Sequence, residues 1–296
     1  MHEVTGNIMI PYDHRTIKTN GVHLHVVQAG PTDGPLVILL HGFPEFWYGW
    51  RKQIDYLAAQ GFWVWAPDQR GYNLSEKPHG VDAYRLDILA TDVIGLIDAA
   101  GREKATVIGH DWGAAVTWRV GRQFPNRMER IGILNVPHDT VMRKTLAKDN
   151  DQRLKSWYMG AFQIPFLPEW LLTLGGVQSV RSLFQTSSRP GTFTEADFQE
   201  YARAWAQPGA MTSMINWYRA IAQSPPMIKV SERVSVPVLI LWGKKDAFLK
   251  WEMAKESLAY CDQGKIMYFD EATHWVQHEE ADQINPLLAD FIRGIS

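Results

Sequence analysis

The chain carries the stretch ATVIGHDWGAAV at residues 105–116, and its architecture turns on it. Ala105 to Ile108 are β-formers, Gly109 interrupts them, and Gly113 follows four residues later. Small, any, nucleophile, any, small is the spacing of a sharp strand-to-helix turn that lifts its central side chain from the end of a sheet. That central residue is Asp111, where the turn usually presents a serine. A simple alternative is that Asp111 caps the helix opening at Trp112 by accepting its free N–H groups. A cap does not need glycine on both sides, however, whereas a tight elbow does, because side chains there would collide.

Working outward, short apolar runs recur at Leu36–Leu40, Phe62–Ala66 and Ile131–Leu134, with Val238–Leu241 and Ile266–Phe269 further on. Such runs suit strands buried on both faces of a parallel sheet. His23–Gln28 alternates with period two and predicts an early antiparallel strand. Helical patterns lie between: Leu86, Leu89, Val93 and Ile97 share one face, and Gly101 is their stop. The alternation predicts an α/β fold, a mostly parallel, doubly wound sheet with helices on both faces. It breaks near residue 138. Up to about 230 the chain carries helical pieces, including a capping box at Thr194 and Asp197 and a stripe at Met211, Met214, Ile215 and Tyr218. The expected organisation is a core from 1–137 and 231–296 with an inserted helical cap, or lid, over 138–230.

With 296 residues, 46% of them hydrophobic, the chain can bury a large core. A net charge of −2 with dispersed basic residues speaks against nucleic acid as a partner. The one cysteine, Cys261, has no internal disulfide partner, which fits a reducing compartment and a cytoplasmic location. Met1–Arg15 lacks the pattern of a secretory leader, and no stretch is long and apolar enough for a membrane span. The sequence is compatible with a homodimer.

Ligands meet open parallel sheets at the carboxyl ends of the strands. Asp111, Asp246 and His274 each follow an apolar run there, in the order nucleophile, acid, histidine. Each alone has a bland explanation as a cap or a satisfied polar residue; together they predict a catalytic triad. HGFP, residues 41–44, follows another strand, so the N–H groups of Phe43 and Trp112 form the expected oxyanion hole. His41 has no second ligand at metal spacing and is expected to make a structural hydrogen bond; His23 and His25 share a strand face.

With these residues in view, the sequence resembles an epoxide hydrolase of the α/β-hydrolase fold over nearly its whole length. The resemblance rests on HGFPEFWYGW, APDQRGYNLSEKP, GHDWGA, LNVPH, LWGKKD and ATHWVQHE. It implies an α/β-hydrolase fold, no cofactor, no metal, and two lid tyrosines that face the epoxide oxygen. Tyr158 in WYMGAFQIP and Tyr218 in MINWYRA match them, although either would also suit an apolar core. The implied pocket is walled by His41, Pro44, Trp47, Trp157, Phe162 and Trp217, with Trp112 beside them, and its partner is a small hydrophobic epoxide. Two departures from the family pattern stand out: Ala247 replaces a frequent proline in the acid loop, and Asn73 a frequent glycine.

An aspartate nucleophile makes chemical sense of this class. Serine attacking an epoxide would leave an ether that water cannot readily cleave, whereas a carboxylate leaves an ester that the same site can hydrolyse. Haloalkane dehalogenases share the Asp-Trp elbow, but Phe43 stands where some of them use asparagine for halide. A binding protein that retains the fold without turnover is the non-enzymatic alternative, and the intact triad argues against it.

Overall fold

The computed structural model describes residues 11–295, so most of the N-terminal stretch on which the leader-free reading rests lies outside the described residues. Eight strands form one sheet: β1 (Asp13–Thr19), β2 (Val22–Ala29), β3 (Leu36–Leu40), β4 (Trp63–Pro67), β5 (Ala105–His110), β6 (Met128–Leu134), β7 (Val238–Gly243) and β8 (Gly264–Phe269). Their order is β1-β2-β4-β3-β5-β6-β7-β8. The β1–β2 and β2–β4 pairs are antiparallel and every later pair is parallel. Strand β1 was not anticipated, because at the sheet edge DHRTIKT is largely exposed and carries no apolar run.

Alternate side chains of β3 supply both cores, as a pleated strand must. Leu36, Ile38 and Leu40 pack with α2 (Leu86–Ala99) and α3 (Trp112–Gln123). Val37 and Leu39 face the other way, toward α1 (Arg51–Ala59) and α13 (Ala281–Arg293). Between β6 and β7 the described chain forms seven helices, α4 (Asp139–Lys148), α5 (Asn150–Lys155), α6 (Trp157–Ala161), α7 (Leu167–Leu174), α8 (Val177–Ser187), α9 (Glu195–Trp205) and α10 (Ala210–Gln223), and no strand beyond an isolated bridge of Val234 to Cys261. Two further helices, α11 (Glu252–Leu258) and α12 (Val276–Glu279), flank the last strand. The expected capping box at Thr194 and Asp197 opens α9.

Strand β3 lies between β4 and β5, so the chain leaves it toward opposite sides of the sheet. This switch point opens a crevice at the carboxyl ends of β3 and β5. The loop after β3 carries His41–Pro44 and the turn after β5 carries Asp111, so the topology brings the two motifs to one place.

Candidate active site

Asp111 sits at φ 50° and ψ −123°, a conformation outside the ordinary regions for a residue with a side chain. The glycines around it permit the turn. A Cβ on Gly113 would lie 2.0 Å from the Leu40 carbonyl oxygen, and one on Gly109 would lie 2.3 Å from the Gly113 carbonyl carbon. Across the crevice, a Cβ on Gly42 would lie 2.3 Å from Asp111 Cβ. That close approach lets the Phe43 N–H donate to Asp111 Oδ1 at 2.7 Å. The Phe43–Pro44 peptide is cis.

His274 spans two carboxylates. Its Nδ1 lies 2.7 Å from Asp246 Oδ2 and its Nε2 lies 3.4 Å from Asp111 Oδ2. Asp246 is fully committed: Oδ1 accepts the N–H groups of Phe248 and Leu249 at 2.7 and 3.0 Å, and Oδ2 accepts the Asn135 amide at 2.8 Å. Burial alone would push the His274 ring down. The Asp246 charge, joined by hydrogen bonds to Asp111 and Asp246, overrides it and raises the ring to about 10. Burial pushes Asp111 up, but the hydrogen bond and charge of His274 dominate and hold its carboxyl below the usual range. The free site thus carries an imidazolium between two carboxylates.

Tyr158 on α6 and Tyr218 on α10 meet over Asp111, their ring centroids 5.9 Å apart and their planes at 78°. Burial, then the Asp111 charge, raises both phenols far above their ordinary range. Each therefore keeps its proton and has it to donate. Phe43 and Phe162 pack edge-on against Tyr218, at 5.3 and 4.8 Å. A cavity of about 460 Å³ joins these groups, lined by Asp111, His274, both tyrosines, Phe43, Pro44, Trp157 and Phe162.

Four residues expected at the wall do not line it. His41 is buried behind the loop, where its Nε2 accepts the Gln69 N–H at 3.0 Å and its ring packs on Tyr72. Trp47 turns outward against Tyr12 and His14. Trp217 donates its indole N–H to the Arg70 carbonyl at 3.0 Å and supports the site from behind. Trp112, whose N–H opens α3, lays its ring between Trp217 and Tyr218 rather than along the cavity. The wall comes instead from Ala247, Phe248 and Trp275, with Leu154, Lys155, Leu172 and Leu183 toward the outside. Spacing in sequence carries no information on which side of a loop an aromatic faces.

Sequence reading also missed polar residues. Asn135 directly follows β6, at φ 54°, and bonds both Asp246 and the Gly243 N–H; the rule that found Asp111, a polar residue just after a buried strand, would have found it. Glu45 is buried and accepts from Tyr201 at 2.6 Å, His278 at 2.7 Å and Gln277 at 3.0 Å; burial pushes its carboxyl up, but His278 and His110 beside it hold it well below the usual range. His110, next to the nucleophile, donates to the His274 carbonyl at 2.8 Å. His23 and His25 pair with Glu76 and Asp68, and no cluster suited to a metal ion occurs among the described residues. Burial raises the Cys261 thiol to about 12, which leaves it unreactive.

A family model described as alpha/beta hydrolase fold matches residues 35–281. The chain is 46% identical to AB hydrolase superfamily protein YfhM of Bacillus subtilis, covering 94% of this chain and 97% of that protein. It is 36% identical to epoxide hydrolase 4 of Homo sapiens, covering 94% and 77% respectively. A similar crystal structure is that of an epoxide hydrolase variant from Bacillus megaterium complexed with its product, (R)-3-[1]naphthyloxy-propane-1,2-diol; the TM-score is 0.85 at 30% identity, covering 94% of this chain and all of that one.

Proposed function

The chain belongs to the α/β-hydrolase fold family, among its epoxide hydrolases, and from that membership we propose that it converts hydrophobic epoxides to vicinal diols through an ester on Asp111. The observation that carries this reading is the convergence on one apolar cavity of Asp111, of His274 held by Asp246, and of the Tyr158 and Tyr218 phenols. Ionised Asp111 attacks a ring carbon, an ester C–O bond forms as the ring C–O bond breaks, and Tyr158 or Tyr218 protonates the departing oxygen. The proton that His274 carries in the free enzyme restores the phenol, and the ring is left neutral. Loss of the Asp111 charge on esterification favours that neutral form.

Neutral His274, oriented by Asp246, then takes a proton from water, whose oxygen attacks the ester carbonyl. The N–H groups of Phe43 and Trp112 stabilise the tetrahedral oxyanion. Collapse expels the diol oxygen, which takes the proton of the new carboxyl; Asp111 is again a carboxylate and His274 again a cation. No cofactor or metal enters this scheme. Residues 138–230 act in it as the cap that supplies both phenols. The enzyme is read as cytoplasmic on its single cysteine, and a homodimer is compatible because every group named comes from one chain.

His274→Ala incubated with an aromatic epoxide should accumulate an adduct on the peptide containing Asp111, seen by mass spectrometry. Absence of the adduct, with wild-type turnover established, would exclude the ester route. Replacing Tyr158 and Tyr218 together by Phe should slow alkylation by at least about 100-fold; retained activity would return both residues to a packing role.

A further inference from the structure

Glu279 closes the stretch ATHWVQHE that carries His274, and the reaction proposed above gives it no part. It is the last residue of α12, and its side chain is wholly buried. That side chain reaches back to the residue before His274. Its Oε2 accepts the Thr273 N–H at 2.7 Å, and its Oε1 accepts the Thr273 hydroxyl at 2.8 Å. The same hydroxyl accepts the Trp275 N–H at 3.3 Å, so one carboxylate ties the residues on both sides of His274. It also reaches the helices between β6 and β7. Oε1 accepts the Arg189 N–H at 2.7 Å and the Thr192 hydroxyl at 3.4 Å, both from the turn between α8 and α9. The Arg189 guanidinium stands 3.7 Å from Oε2 and donates to the Glu279 carbonyl. Ser187, at the end of α8, accepts the Trp275 indole N–H at 2.9 Å, and Leu183 one turn earlier lines the cavity.

We propose that Glu279 is a positioning residue for His274, which anchors the base loop to the α8–α9 turn and so aims Nε2 at the water that hydrolyses the Asp111 ester. This role rests on the ester route above. Asp246 holds the His274 ring at Nδ1. A ring held at one atom keeps its far nitrogen in place only when its backbone is fixed as well. His110 fixes the His274 carbonyl at 2.8 Å, and Glu279 fixes the peptide that precedes it. A carboxylate is required there. The N–H groups of Thr273 and Arg189 approach different oxygens of Glu279, and both can only donate. A glutamine has one acceptor oxygen, so its NH2 group would leave one of those two N–H groups without an acceptor. Ester formation depends on Asp111, Tyr158 and Tyr218, which the turn before α3, α6 and α10 hold in place. The two chemical steps therefore separate.

The test is a rapid-quench time course of wild type and Glu279→Gln with an aromatic epoxide. Mass spectrometry follows the peptide containing Asp111, and His274→Ala serves as the reference. Ester formation should stay within about twofold of wild type while ester decay slows at least about tenfold, so that the adduct accumulates. Thr273→Val keeps the carboxylate and removes the hydroxyl that joins it to Trp275. It should slow the same step by a smaller factor, and it takes the place of Glu279→Gln if that variant does not fold. Decay at the wild-type rate overturns the proposal. So do formation and decay slowed by one common factor, the pattern of a residue that only supports the fold. Failure of the ester route has a different signature. An adduct in His274→Ala with unchanged decay in the variants removes the role of Glu279 alone, whereas no adduct in His274→Ala, with wild-type turnover established, removes the ester route and this role with it.

Discussion

Asp111 and His274 set each other's charge. Asp111 is ionised because His274 is cationic, and His274 owes part of its raised affinity for protons to Asp111. In the reaction proposed above, an ester on Asp111 removes one side of that pair and leaves the histidine as a base. Asp111→Asn, which mimics the uncharged ester, should lower the His274 titration well below about 10, as read by imidazole NMR. An unchanged titration would show that Asp246 alone holds the proton. The sign for stability follows from linkage. A raised histidine stabilises fully below its unfolded value of about 6.5 and loses that contribution as pH rises toward 10. Between those limits the melting temperature of wild type should fall more steeply than that of Asp111→Asn.

Among the elements, α5 governs the acid loop. Gln152, wholly buried, donates to the Phe248 carbonyl at 2.8 Å and accepts the Lys250 N–H at 3.0 Å. Lys155 donates to the Asp246 and Ala247 carbonyls at 3.1 and 3.3 Å. These contacts hold the loop that has Ala247 in place of a frequent proline, and Phe248 in turn packs edge-on against His274 and Tyr158. Because α5 runs directly into the segment carrying Tyr158, one short helix aligns the phenol with the acid. Gln152→Ala leaves buried loop groups unpaired and should cost about 2 kcal/mol in denaturant unfolding. It should also slow ester hydrolysis about tenfold, so that rapid quenching finds the ester accumulating; unchanged hydrolysis would make α5 a packing element only.

On the scale of the molecule, the helices between β6 and β7 are joined to the rest of the described chain through a buried charge. Glu45 lies two residues past Phe43, its acceptors taken by Tyr201 of α9 and by Gln277 and His278 of α12. Beside it, Asp197 of α9 binds Arg51 and Tyr48 of the core, at 2.9 Å each. Removing one member of such a network strands the others. Glu45→Ala should lower stability by roughly 3 kcal/mol or more, measured by urea unfolding, with faster hydrogen exchange in α9. A surface-like loss below about 0.5 kcal/mol would show that these helices are held by their apolar contacts alone.

What the sequence determined by itself is everything that depends on local order. Glycine spacing specified the elbow at Asp111, because a Cβ at Gly109 or Gly113 has no room. Apolar runs marked the parallel strands, and chain order set Asp111, Asp246 and His274 after β5, β7 and β8. Tertiary structure alone decided which aromatics face the cavity, that Glu45 braces the site, and that an apolar stripe of α7 points outward. Periodicity reports that a helix has an apolar face or that a loop carries a tryptophan. The direction either one faces depends on contacts with residues distant in the chain, and these exist only once the sheet and the helices between β6 and β7 have packed.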